Sequence, residues 1–428
     1  MRKLAMLLIA LTLTMTVLVG CAKKDPVTDD KGNQSGTNSN VDDKENTEKV
    51  TLQLWHYISQ GDLDDFEKII DDFNTSQDRI EVVPTYVSRD DLTKQYTMGA
   101  ISGELPDIGE ADSPDFASFI ELGVFEDITD MVNEWGEIDQ FYEGPLSTVK
   151  DAEGRIYGLP HNSNSLLMFY NKDMLEDAGY TEAPKTWAEL EEVAAKVTTS
   201  DTYGFSIAAA ANETTTFHFY PWLYSTEETI SSLDSEGAIG ALEFLTNMLN
   251  NGYMSKEVIN WGNGDVKEAF AAGKVAMMIN GTWQVPSLRE ADLGFEWGVA
   301  EIPIDKQLAT TIGGEDFGIG AGTKHKEEAF EFLAYMMNAQ NNADFCEAGG
   351  KIPVRKDAME LKEVWSTDPI ISVFAESLDY AIARGPHAEW PSISKAIQEA
   401  VHASFLGEKT PEVAMKEAAD KVNAIINE

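Results

Sequence analysis

Cysteine, histidine and basic side chains are scarce in this sequence. Only Cys21 and Cys346 occur among 428 residues, so no disulfide framework can hold the fold. The six histidines are dispersed, without the spacing of a metal site. Lys and Arg number 32 against 74 Asp and Glu, a formal net charge of −42. Such a chain has no basic face for phosphates, which argues against a nucleic-acid partner, and no polybasic patch for anionic lipid. Catalytic signatures are missing too. There is no His-Glu-x-x-His and no Gly-x-Ser-x-Gly elbow. Gly273-Lys274 is followed by Val275, and Glu268 stands where a phosphate loop has glycine. Thr323 breaks the dinucleotide pattern begun at Gly318, Gly320 and Gly322. With 74 carboxylates, the nearness of any two says little about glycosidase chemistry.

What is present begins with a targeting segment. Arg2 and Lys3 precede an apolar run from Leu4 to Val19, too short for a comfortable membrane span. Leu18-Val19-Gly20-Cys21 resembles the lipobox of bacterial lipoproteins. The resemblance implies that residues 1–20 are a signal peptide and that Cys21 is lipidated. Residues 21–49 have three aliphatic side chains, Ala22, Val27 and Val41, and no aromatic. They read as a disordered tether averaging roughly 30 Å end to end. Cys346 is then left without a partner and reads as a small buried hydrophobe.

From residue 50 the pattern alternates strand and helix. Val50 to Trp55 alternates apolar and polar residues as a strand does. Leu63, Phe66, Ile69, Ile70 and Phe73 recur at helical spacing, and Ile80 to Val87 predicts a second strand that Pro84 marks as an edge or a bulge. Ser113-Pro114 reads as a helix start with Ser as N-cap. Ser165 to Tyr170 is nearly all apolar, like a strand covered on both faces. Thr186-Trp187-Ala188-Glu189 is a capping box. Val266 to Ala272 predicts a helix stopped by Gly273, followed by a strand over Val275 to Ile279. Thr410-Pro411 opens a last helix. The order implies α/β layers around a mostly parallel sheet.

Several segments together resemble one family, the extracellular solute-binding proteins of ABC importers, in particular the carbohydrate-binding group that includes maltose-binding protein. They are Leu52 to His56, Gly103 to Ile108, Tyr157-Gly158-Leu159-Pro160, Tyr170 to Asp173, Pro184 to Trp187, Ala269 to Met277 and Asn280 to Trp283. The segment Thr226 to Ser235, after Pro221 to Ser225, is shorter than the family's usual loop. The resemblance implies an α/β, type II periplasmic-binding-protein-like fold with two lobes joined by crossover hinge strands. Residues 50–157 and 306–352 would form lobe I, and residues 158–305 and 353–428 lobe II. It implies a monomeric, non-enzymatic receptor on the extracellular face of the cytoplasmic membrane. That receptor delivers a carbohydrate to ABC permease subunits without cofactor or metal.

A sugar offers flat C–H faces to aromatic rings and a rim of hydroxyls to carboxylates, amides and Arg. The candidate ligand contacts are therefore Tyr57, Asp112, Asn162, Asn164, Trp222, Trp283, Glu315, Arg384 and Trp390. Trp222 is placed in a loop beside Pro221, and Trp390 in a loop before a helix. Trp55, Trp187 and Trp297 read as core. Gly313 and Gly314 would let the backbone approach a ligand. Two rivals remain at this point. The acidic charge would steer a cationic solute such as a polyamine. A surface glycoside hydrolase would need two facing carboxylates, one with a raised pKa. Residues 50–428 hold 25 basic and 67 acidic side chains, so the acidity belongs to the globular part and not to the tether.

Overall fold

The computed structural model describes residues 49–58 and 62–427. The signal peptide, Cys21 and the tether up to residue 48 lie outside the described residues. The described residues form eight strands: β1 (Val50–His56), β2 (Ile80–Tyr86), β3 (Ile108–Asp112), β4 (Gly158–Asn171), β5 (Met277–Gly281), β6 (Trp297–Ala300), β7 (Thr310–Ile319) and β8 (Ala381–Ala383). Their order is β2-β1-β3-β7-β4-β5, with β6 beside β4 and β8 beside β7. No helix among the described residues is long and apolar enough to cross a membrane.

The alternation in β1 puts Leu52, Leu54 and His56 inward. The helix Leu63–Ser76 buries Phe66, Ile69, Ile70 and Phe73, the four residues its 3.6-residue period aligns. Pro84 lies in β2, which ends the strand order, where a missing N–H costs no ladder bond. The helix Asn263–Ala271 ends just before Gly273, whose φ of 66° suits glycine. The Thr410 hydroxyl accepts from Val413 N–H and caps the helix Pro411–Ile426. Three local expectations shift. Asp112 and not Ser113 precedes the helix Ser113–Glu121, because the Ser113 hydroxyl donates instead to Gly314 O at 2.8 Å. The strand expected at 275–279 runs two residues later, as β5. The sheet is mixed and not mostly parallel: β1–β2, β1–β3 and β7–β8 are parallel, whereas β7 and β4 run antiparallel to their other neighbours.

The reason for the mixed sheet is the path of β4. Its first half, Gly158 to Ser165, pairs with β7. Its second half, Leu166 to Asn171, pairs with β5 and β6. One 14-residue strand thus leaves one sheet region and enters another. All of β4 except Tyr170 is buried, both its apolar half, Leu166 to Phe169, and its polar run, His161 to Ser165. Two hydrophobic clusters follow. One gathers Leu54, Phe66, Ile108, Phe317 and Ile319. The other gathers Leu166, Met168 and Ile279 with the helices Glu213–Ser225, Trp390–Phe405 and Pro411–Ile426. The result is two α/β lobes with crossing strands between them. Cys346 is fully buried and free, and burial holds its thiol well above the usual range, so it behaves as a small apolar side chain.

Candidate ligand-binding cleft

A cavity of about 750 Å³ opens between the ends of β1 and β3, the middle of β4 and β7, and the segments that follow β5 and β8. Tyr57, Asp112, Asn164, Trp283, Glu315 and Arg384 all line it. They come from six separate stretches, and sheet register explains much of their meeting. Asp112 on β3 stands opposite Glu315 on β7. Asn164 on β4 stands opposite Gly313. A Cβ at Gly313 would lie 2.5 Å from Asn164 Oδ1 and 3.3 Å from Arg384 Nη2, so the glycine makes room for both side chains.

Three of the expected contacts do not reach this cavity. Trp222 is not in a loop. It lies inside the helix Glu213–Ser225, fully buried, where it packs on Trp187, Phe205 and Phe244. Pro221 lies inside the same helix, where packing of its neighbours holds the turn despite the missing N–H. Trp390 is also fully buried, at the start of the helix Trp390–Phe405, with Nε1 donating to Glu213 Oε1 at 3.2 Å. Asn162 faces a separate cavity of about 20 Å³ beside Ser113, Thr148 and Arg384, because the strand pairing shifts between Pro160 and Asn162.

The apolar wall of the cleft is aromatic. Trp283 lies nearly parallel to Phe217, with centroids 6.1 Å apart and planes 21° apart. Trp283 also covers Gly281, where a Cβ would collide with its ring at 1.9 Å. The ring is thus held from below and keeps part of its surface exposed. The Arg384 guanidinium sits over the other aromatic of the pair, 4.2 Å from the Phe217 centroid.

The polar wall is a set of shared ion pairs. Lys351, with 7% of its side chain exposed, reaches Asp62 at 3.0 Å and Glu315 at 3.2 Å. Burial works to lower its pKa, but these carboxylates outweigh burial and raise it, so the ammonium stays charged. Arg89 pairs with Asp112 and, at 3.4 Å, with Asp115. Arg384 pairs with Glu213 at 2.8 Å and Asp112 at 3.5 Å. Glu213 further accepts from Trp390 and Ser394. Sequence reasoning missed Arg89, Glu110, Phe217 and Lys351, all of which line the cavity. The one available signal was Glu110, an acidic residue at the same strand parity as the core residue Ile108.

Asp115 carries a pH consequence. Burial, helped by Asp112 and Glu213 and opposed by Arg89, pushes its carboxyl up to about 7. The folded state therefore holds a proton that the unfolded chain releases nearer pH 4. Its contribution to stability is full below pH 4 and is lost as pH rises toward 7. The Asp115→Asn variant should gain on the parent protein in thermal midpoint as pH is raised from 4 to 7, with a constant difference above that. Parallel profiles for the two proteins would contradict it. The side chain keeps 14% of its surface exposed, so solvent moderates the size of the effect.

A family model described as bacterial extracellular solute-binding protein matches residues 68–373. The chain belongs to that family. This solute-binding protein is 22% identical over 438 residues to the maltooligosaccharide ABC transporter solute-binding lipoprotein of Streptococcus pneumoniae (strain ATCC BAA-255 / R6), covering 97% of this chain and 96% of that one. Among solved structures, an ABC transporter solute-binding protein from Thermotoga lettingae TMO, bound with α-D-tagatose, superposes with a TM-score of 0.82. It is 28% identical, over 88% of this chain and all of that one. Maltose-bound MalE3 of T. maritima gives a TM-score of 0.80 at 25% identity, over 88% and 99% of the two chains. The segment resemblances and the family model thus agree, and the family consists of solute-binding proteins and not of enzymes.

Proposed function

We propose that this solute-binding protein is a lipid-anchored receptor on the extracellular face of the cytoplasmic membrane. It captures a mono- or oligosaccharide in the interlobe cleft and delivers it, as a monomer, to the permease subunits of an ABC importer. The observation that carries the reading is the partly exposed Trp283 ring, backed by Phe217, in a cavity of about 750 Å³ whose other walls carry many charged, amide and hydroxyl groups. An aromatic face and a polar rim suit the two surfaces of a sugar, and the volume is ordinary for a small-molecule site. The S. pneumoniae, T. lettingae and T. maritima proteins, with a maltooligosaccharide, tagatose and maltose in their descriptions, support the same class.

In this reading β4 and β7 act as hinges, and lobe closure buries the ligand. Residues 50–157 with the returning segment form one lobe, and residues 158–305 with the C-terminal helices the other. The polyamine alternative draws no support from the cleft. Asp62, Glu110, Asp112, Glu290 and Glu315 are nearly balanced there by Arg89, Lys267, Lys351 and Arg384, so the large net charge is not gathered in the cavity. Titration calorimetry with maltose, mannobiose and tagatose tests the proposal. Heat from at least one of them supports it, and a flat response to all three alongside binding of spermidine would overturn it.

A further inference from the structure

On the Tyr57 side of the cleft, most charged groups are already committed. The Lys351 ammonium serves Asp62 and Glu315, and the Arg89 guanidinium serves Asp112 and Asp115. Glu110 has no cation within ion-pair distance among the described residues. It is fully buried yet lines the cavity. Its two oxygens are unequal. Oε2 accepts from Tyr57 N–H at 2.6 Å, while Oε1 has no hydrogen-bond partner among the described residues. The hydroxyl of Tyr57, which also lines the cavity, is likewise buried and without a partner among the described residues. The backbone of Glu110 is pinned as well. Tyr96 donates its hydroxyl to Glu110 O at 2.8 Å, and only a glycine at 109 leaves room for that hydroxyl, because a Cβ there would lie 2.2 Å from it.

A buried polar atom with no partner costs free energy that a ligand can return, so such atoms mark what the ligand must supply. We propose that Glu110 is a specificity-determining residue of the cleft: with the Tyr57 hydroxyl, its Oε1 reads the hydroxyls of one ring of a neutral sugar and disfavours sugars that carry carboxylate or phosphate. The inference rests on the carbohydrate reading above. A hydroxyl satisfies Glu110 in either protonation state, since it accepts from the acid and donates to the carboxylate. Burial, and then the neighbouring Glu315, raise the Glu110 pKa and favour the acid. An anionic group placed here meets Asp62, Asp112 and Glu315 at close quarters, with both nearby cations already shared. The same residue therefore pairs with neutral rings and leaves anionic ones unmatched.

The test compares the full-length protein with Glu110→Ala, Glu110→Gln and Tyr57→Phe. Maltose, mannobiose and tagatose are titrated as neutral probes, and glucuronate and glucose 1-phosphate as anionic ones. The parent should bind a neutral probe and prefer it to both anions. Glu110→Ala should weaken that neutral sugar about tenfold or more and narrow the preference. Glu110→Gln, which keeps a donor and an acceptor, should stay within about threefold of the parent. Rescue by Gln separates reading of the ligand from a merely structural role. If Glu110→Ala does not fold, Tyr57→Phe should still lose about tenfold at an unchanged thermal midpoint. The inference is overturned if folded Glu110→Ala binds as the parent does, if Gln is as weak as Ala, or if the anions bind as well as the neutral sugars. In each of those cases the carbohydrate reading stands. A parent protein that binds no sugar overturns both.

Discussion

Trp283→Ala is expected to weaken binding of a neutral sugar by about 300-fold. One face of an indole covered by a sugar ring removes on the order of 100 Å² of apolar surface from water, about 2.5 kcal/mol. Stacking of the ring adds about 1 kcal/mol. The sum, about 3.5 kcal/mol, corresponds to that loss of affinity. The backing of Trp283 by Phe217 and Gly281 matters here, because a ring already fixed in place loses little entropy on binding. Trp283 also packs on Phe217 and over Gly281, so its truncation should lower the thermal midpoint of the free protein by a few degrees while the variant still folds. Calorimetric titration of the variant with the sugar that binds the parent checks the expectation. Undiminished affinity would remove the aromatic wall from the recognition site.

Arg384→Ala should damage both stability and binding. Only 3% of this side chain is exposed, and its guanidinium is the cation closest to Glu213. Breaking a buried pair leaves an uncompensated carboxylate and costs about 3–5 kcal/mol. The lower end applies, because Glu213 keeps Trp390 and Ser394 as donors and Asp112 keeps Arg89. For a folded part of this size, about 3 kcal/mol lowers the midpoint by about 4 °C. The packing of Arg384 over Phe217 is lost as well, which loosens the support of Trp283. The double variant Glu213→Gln, Arg384→Met should recover much of the midpoint without recovering sugar affinity, since it removes the stranded charge but not the loss of the cleft's polar group. Differential scanning calorimetry on the three proteins decides the matter. An unchanged midpoint in Arg384→Ala would show that the network is solvated and weak.

The candidate residues separate by the kind of information each needed. Tyr57, Asp112 and Trp283 follow strand ends, and a strand end is visible in a local pattern, so these residues could be placed at the cleft from the chain alone. Trp222 and Trp390 have the right chemistry but the wrong side of a helix. A Trp beside a proline looks the same in sequence whether it lines a loop or fills a core. The difference is set by which helix packs against it. Lys351 and Arg89 carry no local pattern that marks them. Their function in the site depends on carboxylates that are 36 and 289 residues away for Lys351 and 23 and 26 away for Arg89.

The amino-acid sequence by itself determined the α/β class, several of the strands and helices, the family and the acidic balance of the folded part. These are local or additive properties: a period of 2 or 3.6, a capping residue, an ordered set of short motifs, a sum of charges. Only the tertiary structure decided that the sheet is mixed, because that follows from β4 serving two sheet regions in succession. Only it decided which tryptophan is presented in the cleft, and which carboxylate, Glu110, is buried there with an oxygen to spare. Those outcomes depend on the packing of side chains far apart in sequence, where burial and the neighbouring charges set what each group can do.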